Sequence, residues 1–460
     1  MSLKFYFSLI IINLTFLPQI SPSNSKGKNI PLNIPSKYIS SPSFIEMIHK
    51  TQIPSKIIYA SPKNIKNSKC TQNSPCSLEK AINMLEPGYI LYLRKGIYNI
   101  KKQLEIHKSG KPNFYIVISS APNEKAIITS FTKQKKISLF QIFGSYIIIE
   151  NLTFGRVSAL DVEGIALYRG GQSHIIIRNN KFYELKSTVK IIKDEKKRGD
   201  KINHGANGIL LAGEKKVIKK VIIYNNELND NILGYSEAIS ITGNCEEIYV
   251  LYNKLKNNNN IGIDFNGNTG ISKQKEFDQP RNSVAMYNKI EKSISPYDDC
   301  AGLYVDGAKN IYLGENIISE SQYGIEIGNE KKKLSVKNII VENNKMINNL
   351  ITGIRIGGFD KHDSGNVKDS IIRKNQINGN SNSVIIAKAE NILFKENEFI
   401  LYGKGDKKKY FVNVEFSSSY VKNITFEKNV FEGNGIFKIN DKKMDLDEFI
   451  KKYNSNKIKK

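Results

Sequence analysis

The chain contains no tryptophan, four cysteines and five histidines in 460 residues. The histidines stand far apart and only one pair of cysteines is close in sequence, so the clustered His and Cys ligands of a zinc site are absent. Acidic residues are outnumbered by basic ones, 44 against 69, which gives a formal net charge of +25. After residue 22, no apolar run is long enough to cross a membrane.

An excess of positive charge is typical of proteins that bind polyanions. The basic residues here are nearly all lysines and are spread over the predicted turns, and an A+T-rich genome would produce the same composition. A polyanion-binding surface and a compositional bias therefore both stay open. Nucleic acid is not expected as a partner, because no nucleic-acid-binding motif occurs and the N-terminus resembles a secretory signal.

The N-terminus carries Lys4 followed by the apolar run FYFSLIIINLTFLP, which is short for a membrane span. This order predicts a signal peptide over residues 1–22, with an uncleaved anchor as the alternative. Residues 23–55 are polar with scattered prolines and are predicted to form a linker. We therefore expect a secreted or cell-surface protein with no membrane span once the signal is removed.

Short apolar strands that end on asparagine recur ten times between Ile147 and Phe431, among them IIIENLTF, IIIRNNKF, IYLGENII and ITFEKNVF. A second series, with members GILLAG, GLYVDG and GIEIGN, lies between them. Alternation of apolar residues at period two indicates strands with one buried face, and a repeat of ~22–35 residues indicates a solenoid. The sequence thus predicts an all-β, single-stranded parallel β-helix, with the asparagines at one corner of every coil.

The ends of such a stack need caps. Residues 77–85 have helical spacing of apolar residues after Ser77, so we expect a capping helix at the N-terminal end. A short helix is expected from Asp445. The predicted β-helix domain is therefore 56–440, followed by a C-terminal cap and basic tail at 441–460. Cys70 and Cys76 flank the loop CTQNSPC and can close a disulfide.

Acidic residues concentrate on one predicted face of the solenoid. When the second strand series is aligned on its leading small residue, Ile263 and Leu303 point inward, and the outward positions of successive coils carry Asp264, Tyr304, Glu326 and Arg355. The next outward position carries Asn266 and Asp306, and the loop before Tyr304 adds Asp298 and Asp299. Stacked carboxylates repel one another, so their concentration here indicates a function.

Three interpretations of this face stay open. Asp264, Asp298, Asp299 and Asp306 offer the oxygen ligands that Ca²⁺ prefers. Alternatively, one carboxyl group is a general acid and another a base for hydrolysis. The third interpretation is a solvated polar face in which a carboxylate pairs with Arg355.

Several segments resemble secreted right-handed β-helix proteins of the pectate-lyase-like polysaccharide lyase superfamily. They are IIYASPKN, CSLEKAINMLEPGYILYLRKGIYN, YIVISSAPNEKAII and AGLYVDGAKNIYLGENIISESQYGIEIGNE, and the resemblance covers roughly Ile57 to Phe431. It implies a right-handed coil and cleavage of acidic polysaccharides by β-elimination, often with calcium and a Lys or Arg base.

On this resemblance we expect a monomeric, calcium-assisted lyase acting on an acidic, uronate-containing polysaccharide. The catalytic candidates are Arg281 and Lys273, as the base that removes the C5 proton, together with Glu326. Tyr304, Arg355 and Asn266 are expected to bind the substrate, and the four aspartates the metal. A non-catalytic glycan-binding adhesin and a glycoside hydrolase with paired carboxylates are the alternatives.

Overall fold

The computed structural model describes residues 34–39, 42–50, 53–63, 68–331, 334–357, 364–401, 412–416, 420–433, 435–439 and 442–453. The predicted signal peptide lies outside the described residues. Among these residues, no helix is long and apolar enough to span a membrane.

Short strands dominate the described residues. In chain order they are β1 (Lys56–Ala60), β2 (Tyr89–Leu93), β3 (Gly96–Asn99), β4 (Leu104–Ile106), β5 (Ile116–Ser120), β6 (Ala126–Thr129), β7 (Lys136–Ile142), β8 (Ile147–Glu150), β9 (Thr153–Ala159), β10 (Asp161–Tyr168), β11 (Ser173–Arg178), β12 (Lys181–Ser187), β13 (Ala206–Tyr224), β14 (Glu227–Asn229), β15 (Ile239–Leu251), β16 (Lys254–Lys256), β17 (Ile263–Asn266), β18 (Arg281–Met286), β19 (Lys289–Glu291), β20 (Ala301–Asp306), β21 (Lys309–Gly314), β22 (Ile317–Ser319), β23 (Tyr323–Gly328), β24 (Ser335–Glu342), β25 (Lys345–Ile347), β26 (Thr352–Ile356), β27 (Asn366–Arg373), β28 (Gln376–Asn378), β29 (Asn382–Ile386), β30 (Ala389–Lys395), β31 (Glu398–Leu401), β32 (Val412–Phe416), β33 (Val421–Glu427), β34 (Val430–Gly433), β35 (Ile436–Ile439) and β36 (Lys442–Met444).

The helices are few and short. They are α1 (Pro42–Glu46), α2 (Leu78–Asn83) and α3 (Leu446–Tyr453), with 3₁₀ turns at Ser36–Tyr38, Glu195–Lys197, Gly199–Asn203 and Lys275–Phe277.

Each coil contributes one strand to each of three parallel sheets. Sheet 1 holds β4, β7, β10, the first half of β13 and of β15, β17, β20, β23, β26, β29, β32 and β35. Sheet 2 holds β1, β2, β5, β8, β11, the second half of β13 and of β15, β18, β21, β24, β27, β30 and β33. Sheet 3 holds β3, β6, β9, β12, β14, β16, β19, β22, β25, β28, β31 and β34. This architecture confirms the predicted parallel β-helix, and β36 adds an antiparallel strand at its C-terminal end.

The interior is filled by the alternate apolar side chains of every strand. On sheet 1, Ile263, Phe265, Leu303 and Val305 are fully buried and belong to one continuous apolar core. Their strands pair in parallel with Ile263 beside Leu303, so like positions stack from coil to coil. The inward and outward assignment made from the sequence is therefore confirmed, and this fixes which side chains face outward from sheet 1.

A ladder of buried asparagines marks the corner between sheets 2 and 3. Its members are Asn180, Asn226, Asn253, Asn288, Asn316, Asn344, Asn375, Asn397 and Asn429. Asn288, for example, donates both its backbone N–H and its side-chain amide to Asn316 Oδ1, each at 3.0 Å. The expectation of an asparagine at this corner in every coil is wrong for the IIIENLTF coil, where Asn151 occupies a left-handed position with φ of 56° and Leu152 takes the ladder place.

Both ends of the stack are closed. At the N-terminal end, Ser77 Oγ accepts the backbone N–H of Lys80, and Leu78, Ala81 and Ile82 of α2 are buried in the core. This confirms the predicted capping helix, and the Cys70–Cys76 disulfide lies just before it. At the other end, the Phe449 ring of α3 stacks on Phe437 with ring centroids 4.3 Å apart.

The predicted linker is wrong for residues 34–39 and 42–50, which pack on the outer face of sheet 2. Tyr249 Oη donates to the Tyr38 carbonyl at 2.8 Å, and Arg178 Nη1 donates to the Ile48 carbonyl at 2.6 Å. Ile34, Tyr38, Phe44, Ile45 and Ile48 are buried there. Because this stretch is polar on average, its composition did not reveal the five apolar residues in it that cover the apolar outer positions of sheet 2.

Candidate functional site

The outer face of sheet 1 carries a column of polar residues in register. Asp264 of β17 lies beside Tyr304 of β20, Tyr304 beside Glu326 of β23, and Glu326 beside Arg355 of β26. Asp306 lies two residues after Tyr304 on β20. Although they point away from the core, Asp264, Asp306 and Glu326 are only 1%, 5% and 5% exposed.

Long loops flank this column at the ends of the sheet 1 strands. Residues 188–204 form an insertion before β13, and Arg198 joins it to the loop before β20. Arg198 Nη1 lies 3.3 Å from Asp298 Oδ2, and its guanidinium lies over the Tyr297 ring at 5.1 Å. At the opposite strand ends, residues 267–280 form a loop that Asp278 closes by accepting the backbone N–H groups of Gly270 and Ser272.

Five carboxyl groups meet around this column, and we call them the acidic face: Glu237, Asp264, Asp306, Glu326 and Glu330. Burial raises the pKa of Asp264 well above its usual range, and the charges of Glu237 and Asp306 raise it further. Asp264 Oδ1 is buried and has no hydrogen-bond partner. Burial also raises the pKa of Glu237 to about 7, although a hydrogen bond with Ser240 opposes the shift.

Burial raises the pKa of both Glu326 and Asp306, but a different group opposes the rise in each case. Burial raises the pKa of Glu326 to about 8; Arg355 works against this rise, and Glu330 adds to it. Glu326 Oε1 lies 3.5 Å from Arg355 Nε. Burial and then the charge of Glu330 raise the pKa of Asp306 well above its usual range, but the backbone N–H of Glu330 donates to Asp306 Oδ1 at 3.0 Å and favours the ionised form.

Arg355 is held by a second pair of residues. Tyr323 Oη accepts a hydrogen bond from Arg355 Nη1 at 3.2 Å and donates one to Asp299 Oδ2 at 2.6 Å. The guanidinium also lies over the Tyr323 ring at 5.4 Å. Burial raises the pKa of Tyr304, and the charges of Asp306 and Glu326 raise it further, so this phenol stays protonated among the carboxyl groups.

Six of the ten residues selected from the sequence share the outer face of sheet 1: Asp264, Asn266, Tyr304, Asp306, Glu326 and Arg355. The two basic catalytic candidates do not join them. Arg281 begins β18 of sheet 2, where its guanidinium binds Glu246 Oε2 at 2.9 Å and lies over the Phe277 ring. Lys273 is exposed on the 267–280 loop. The structure therefore does not bring these two residues to the column on sheet 1, and their role as the base stays a prediction.

The four aspartates proposed as calcium ligands do not converge. Asp298 pairs with Arg198, and Asp299 accepts the hydroxyl proton of Tyr323, so both are engaged away from Asp264. Within the part of the chain that the structure describes, no group of three or more His, Cys, Asp or Glu side chains has an arrangement that could hold a metal ion. Asp264 and Asn266 each keep a buried side-chain oxygen without a hydrogen-bond partner. The four-aspartate site is thus a wrong prediction, while a cation among Asp264, Asn266 and Asp306 remains a proposal.

Sequence reasoning missed Glu237, Glu330, Tyr323 and Arg198. Glu237 and Tyr323 stand immediately before the small residue on which the second strand series was aligned, so extending the alignment by one position would have found them. Glu330 and Arg198 lie in loops outside any repeat, and no local pattern indicates where those loops turn.

The comparisons with known proteins agree with this architecture. Residues 58–226 match the Pel9A-like, right-handed β-helix region. This match confirms the resemblance to pectate-lyase-like proteins that the sequence suggested, and the right-handed coil. An uncharacterized protein of Bacillus subtilis (strain 168), YwoF, is 29% identical over 388 residues, which are 81% of this chain and 74% of that protein.

Solved structures similar to this chain include several carbohydrate-active enzymes. A mannuronic acid-specific family 6 polysaccharide lyase from human gut microbiota is 15% identical, with a TM-score of 0.49 over 84% of this chain and 82% of the other. An alginate lyase from Paenibacillus sp. FPU-7 is 14% identical, with a TM-score of 0.44 over 70% and 94%. A GH136 lacto-N-biosidase from Eubacterium ramulus is 12% identical, with a TM-score of 0.44 over 82% and 60%. Likenesses of this size say nothing about the chemistry of this chain.

Proposed function

We propose that the protein hydrolyses glycosidic bonds of a polysaccharide at the acidic face, with Glu326 as general acid and Asp306 as general base. The observation that carries this proposal is the difference in surroundings of these two buried carboxyl groups. Burial raises the pKa of Glu326 to about 8, so Glu326 holds a proton at neutral pH. Asp306 accepts the Glu330 N–H, which favours its ionised form, and we propose that it is the member of the pair that ionises while Glu326 keeps its proton.

The placement of the two groups favours hydrolysis with inversion. Asp306 and Glu326 stand on neighbouring strands and are offset by two residues, because Asp306 pairs with Gly328. The backbone positions of such diagonal neighbours lie about 7–8 Å apart, and we propose that the two carboxyl groups keep a similar separation. Inverting glycosidases keep their carboxyl groups ~6.5–9.5 Å apart, which leaves room for the attacking water between base and sugar.

The local charge favours a neutral sugar ring at the point of cleavage. In the proposed mechanism Asp306 is ionised at a face built from five carboxyl groups, so it would repel the carboxylate of a uronate. The outer face of sheet 1 extends over many coils, and an extended surface of this kind suits a polymer. We therefore propose a polysaccharide substrate that is uncharged where Glu326 protonates the leaving oxygen.

A location outside the cytoplasm is part of the proposal. The disulfide between Cys70 and Cys76 is of a kind that forms and persists in oxidising compartments. A secreted or cell-surface enzyme would also meet polysaccharides directly.

The test uses the purified chain on a panel of neutral and uronate polysaccharides. Reducing ends should appear without the ultraviolet absorbance of an unsaturated product, and a chelator should have no effect. Glu326→Gln and Asp306→Asn should each lower kcat ~10²–10⁴-fold, the usual contribution of an acid or base. Glu342→Gln is the matched control, since Glu342 is also buried and pairs with Arg373 at 2.7 Å but lies on sheet 2. Full activity in Glu326→Gln would overturn the proposal.

Calcium-assisted β-elimination is the second candidate, and one observation favours it. Asp264 Oδ1 and Asn266 Oδ1 are buried acceptors without hydrogen-bond partners on the same strand and face. With Asp306 they would hold calcium, which would offset the charge of a uronate carboxylate. Arg355 would then be the base of this chain, because Arg281 and Lys273 lie elsewhere. In the same assay this candidate predicts unsaturated products that a chelator abolishes, whereas glycan binding with neither product would favour the adhesin.

A further inference from the structure

The pair formed by Arg355 and Glu326 is unusually open. Arg355 Nε lies 3.5 Å from Glu326 Oε1, whereas a charge-assisted N–H···O bond measures ~2.7–2.9 Å. The guanidinium is held instead on its other side, where Nη1 donates to Tyr323 Oη at 3.2 Å. The Tyr323 hydroxyl is oriented for this by its own donation to Asp299 at 2.6 Å.

Sheet 2 holds an equivalent pair that is closed. Arg373 Nη2 lies 2.7 Å from Glu342 Oε2, and Glu342 is buried to a similar degree as Glu326. A tyrosine is present there too, but Tyr312 Oη bonds to Glu342 itself at 3.1 Å and not to the arginine. The sheet 2 pair therefore shows that an arginine and a buried glutamate on neighbouring strands of this solenoid can close.

The loop that carries Asp299 is fixed from the 188–204 insertion. Arg198 is 9% exposed and spans 100 residues of sequence to reach Asp298 Oδ2 at 3.3 Å. A second nitrogen of the guanidinium, Nη2, donates to the Tyr297 carbonyl, also at 3.3 Å. Arg198 is also bonded to the carbonyls of Ile192 and Lys193 within the insertion, so it connects two loops that no strand pairing joins.

We propose that Tyr323, oriented by Asp299, is a positioning residue that holds Arg355 away from Glu326, and that Arg198 fixes the loop on which Asp299 stands. The consequence for catalysis rests on the proposed function, because it concerns the proton that Glu326 would donate. The arrangement of the arginine and the glutamate does not depend on any activity.

The protonation of Glu326 depends on all the charged and titratable groups that face it. Neighbouring strands contribute Arg355, Tyr304, Tyr323, Asp306 and Asp264. The flanking loops contribute Asp298, Asp299, Glu330 and the buried thiol of Cys300. Arg355 is the group among these that lowers the pKa of Glu326, so its distance controls whether the carboxyl group keeps its proton at neutral pH.

The experiment compares Tyr323→Phe with Tyr312→Phe, which removes the equivalent hydroxyl on sheet 2. Without the Tyr323 hydroxyl, Arg355 should close on Glu326 and lower its pKa. The alkaline limb of the kcat/KM profile should then move down by about one pH unit, within the ~1–3 units that a close opposite charge produces. Asp299→Asn and Arg198→Gln should shift the limb in the same direction, and Tyr312→Phe should leave it in place.

A second measurement keeps the inference testable if the protein turns over no substrate. The pH dependence of the free energy of unfolding reports the pKa of Glu326 in the folded protein without any activity. Tyr323→Phe should move this dependence to lower pH, and the difference should vanish when both proteins also carry Glu326→Gln. An unchanged titration in Tyr323→Phe, or a change that persists beside Glu326→Gln, would overturn the proposal while leaving the proposed hydrolysis open.

Discussion

Asp306 accepts a hydrogen bond from the backbone N–H of Glu330, 24 residues further along the chain, at 3.0 Å. Glu330 follows β23, so the loop that leaves one coil supplies the donor for a carboxyl group on the preceding coil. This hydrogen bond makes the environment of Asp306 different from that of Asp264, whose Oδ1 has no hydrogen-bond partner, and from that of Glu326, which faces Arg355. Three carboxyl groups on one face thereby acquire three different environments.

The stability of the protein should fall as the pH rises through the neutral range. The pKa of Glu326 is about 8 in the folded protein against an ordinary 4.5, so the folded state binds more protons between these values. Its contribution is fully present below about pH 4.5 and lost by about pH 8. Asp264, whose pKa is also raised, acts in the same direction. Urea unfolding at several pH values should show the decline.

Glu326→Gln should remove part of that pH dependence, since glutamine resembles the protonated acid and does not titrate. The slope of the free energy of unfolding against pH should decrease by at most ~1.4 kcal/mol per pH unit, which is the value for one proton. Glu432→Gln, at an exposed position on β34, is the control for the change from glutamate to glutamine. A slope in Glu326→Gln equal to that of the wild type would mean that the folded protein does not hold a proton on this group.

Asn316→Ala should destabilise the middle of the solenoid. Asn316 Oδ1 accepts two hydrogen bonds from Asn288, and its amide donates to the Ala285 carbonyl and to Asn344. Each buried group left unpaired costs about 1–3 kcal/mol. Asn229→Ala changes a half-buried asparagine outside the ladder and should cost far less. Equal shifts of the urea midpoint in the two variants would contradict a structural role for the ladder.

Arg178→Gln should loosen the N-terminal residues from sheet 2. Arg178 donates to the carbonyls of Ile48 and Met47 and pairs with Glu150 at 2.6 Å. Loss of these charge-assisted bonds should increase hydrogen exchange at the backbone amides of residues 47–50, measured by mass spectrometry. Arg156→Gln, an exposed arginine on β9, serves as the control, and protection unchanged in both variants would contradict this anchoring role.

The repeat pattern by itself determined the solenoid, the direction of each side chain and the column on sheet 1. These features follow from local rules: alternation at period two sets inward and outward positions, and in-register stacking brings like positions together. Asp264, Tyr304, Glu326 and Arg355 could therefore be placed side by side from sequence alone, and the structure confirms their register. The disulfide and the capping helix could also be predicted from the sequence, because each depends on residues that are close together in the chain.

Only the tertiary structure decided what the loops bring to that face. Arg198 reaches Asp298 across 100 residues, and Glu330 reaches back to Asp306, because loops outside the repeat turn according to contacts that no periodicity encodes. Arg281 was misplaced for the same reason, since the residues of the 267–280 loop do not indicate the direction in which that loop leaves sheet 1. The sequence determined which carboxyl groups share a face, and the fold of the loops decided which of them is buried, paired or supplied with a hydrogen-bond donor.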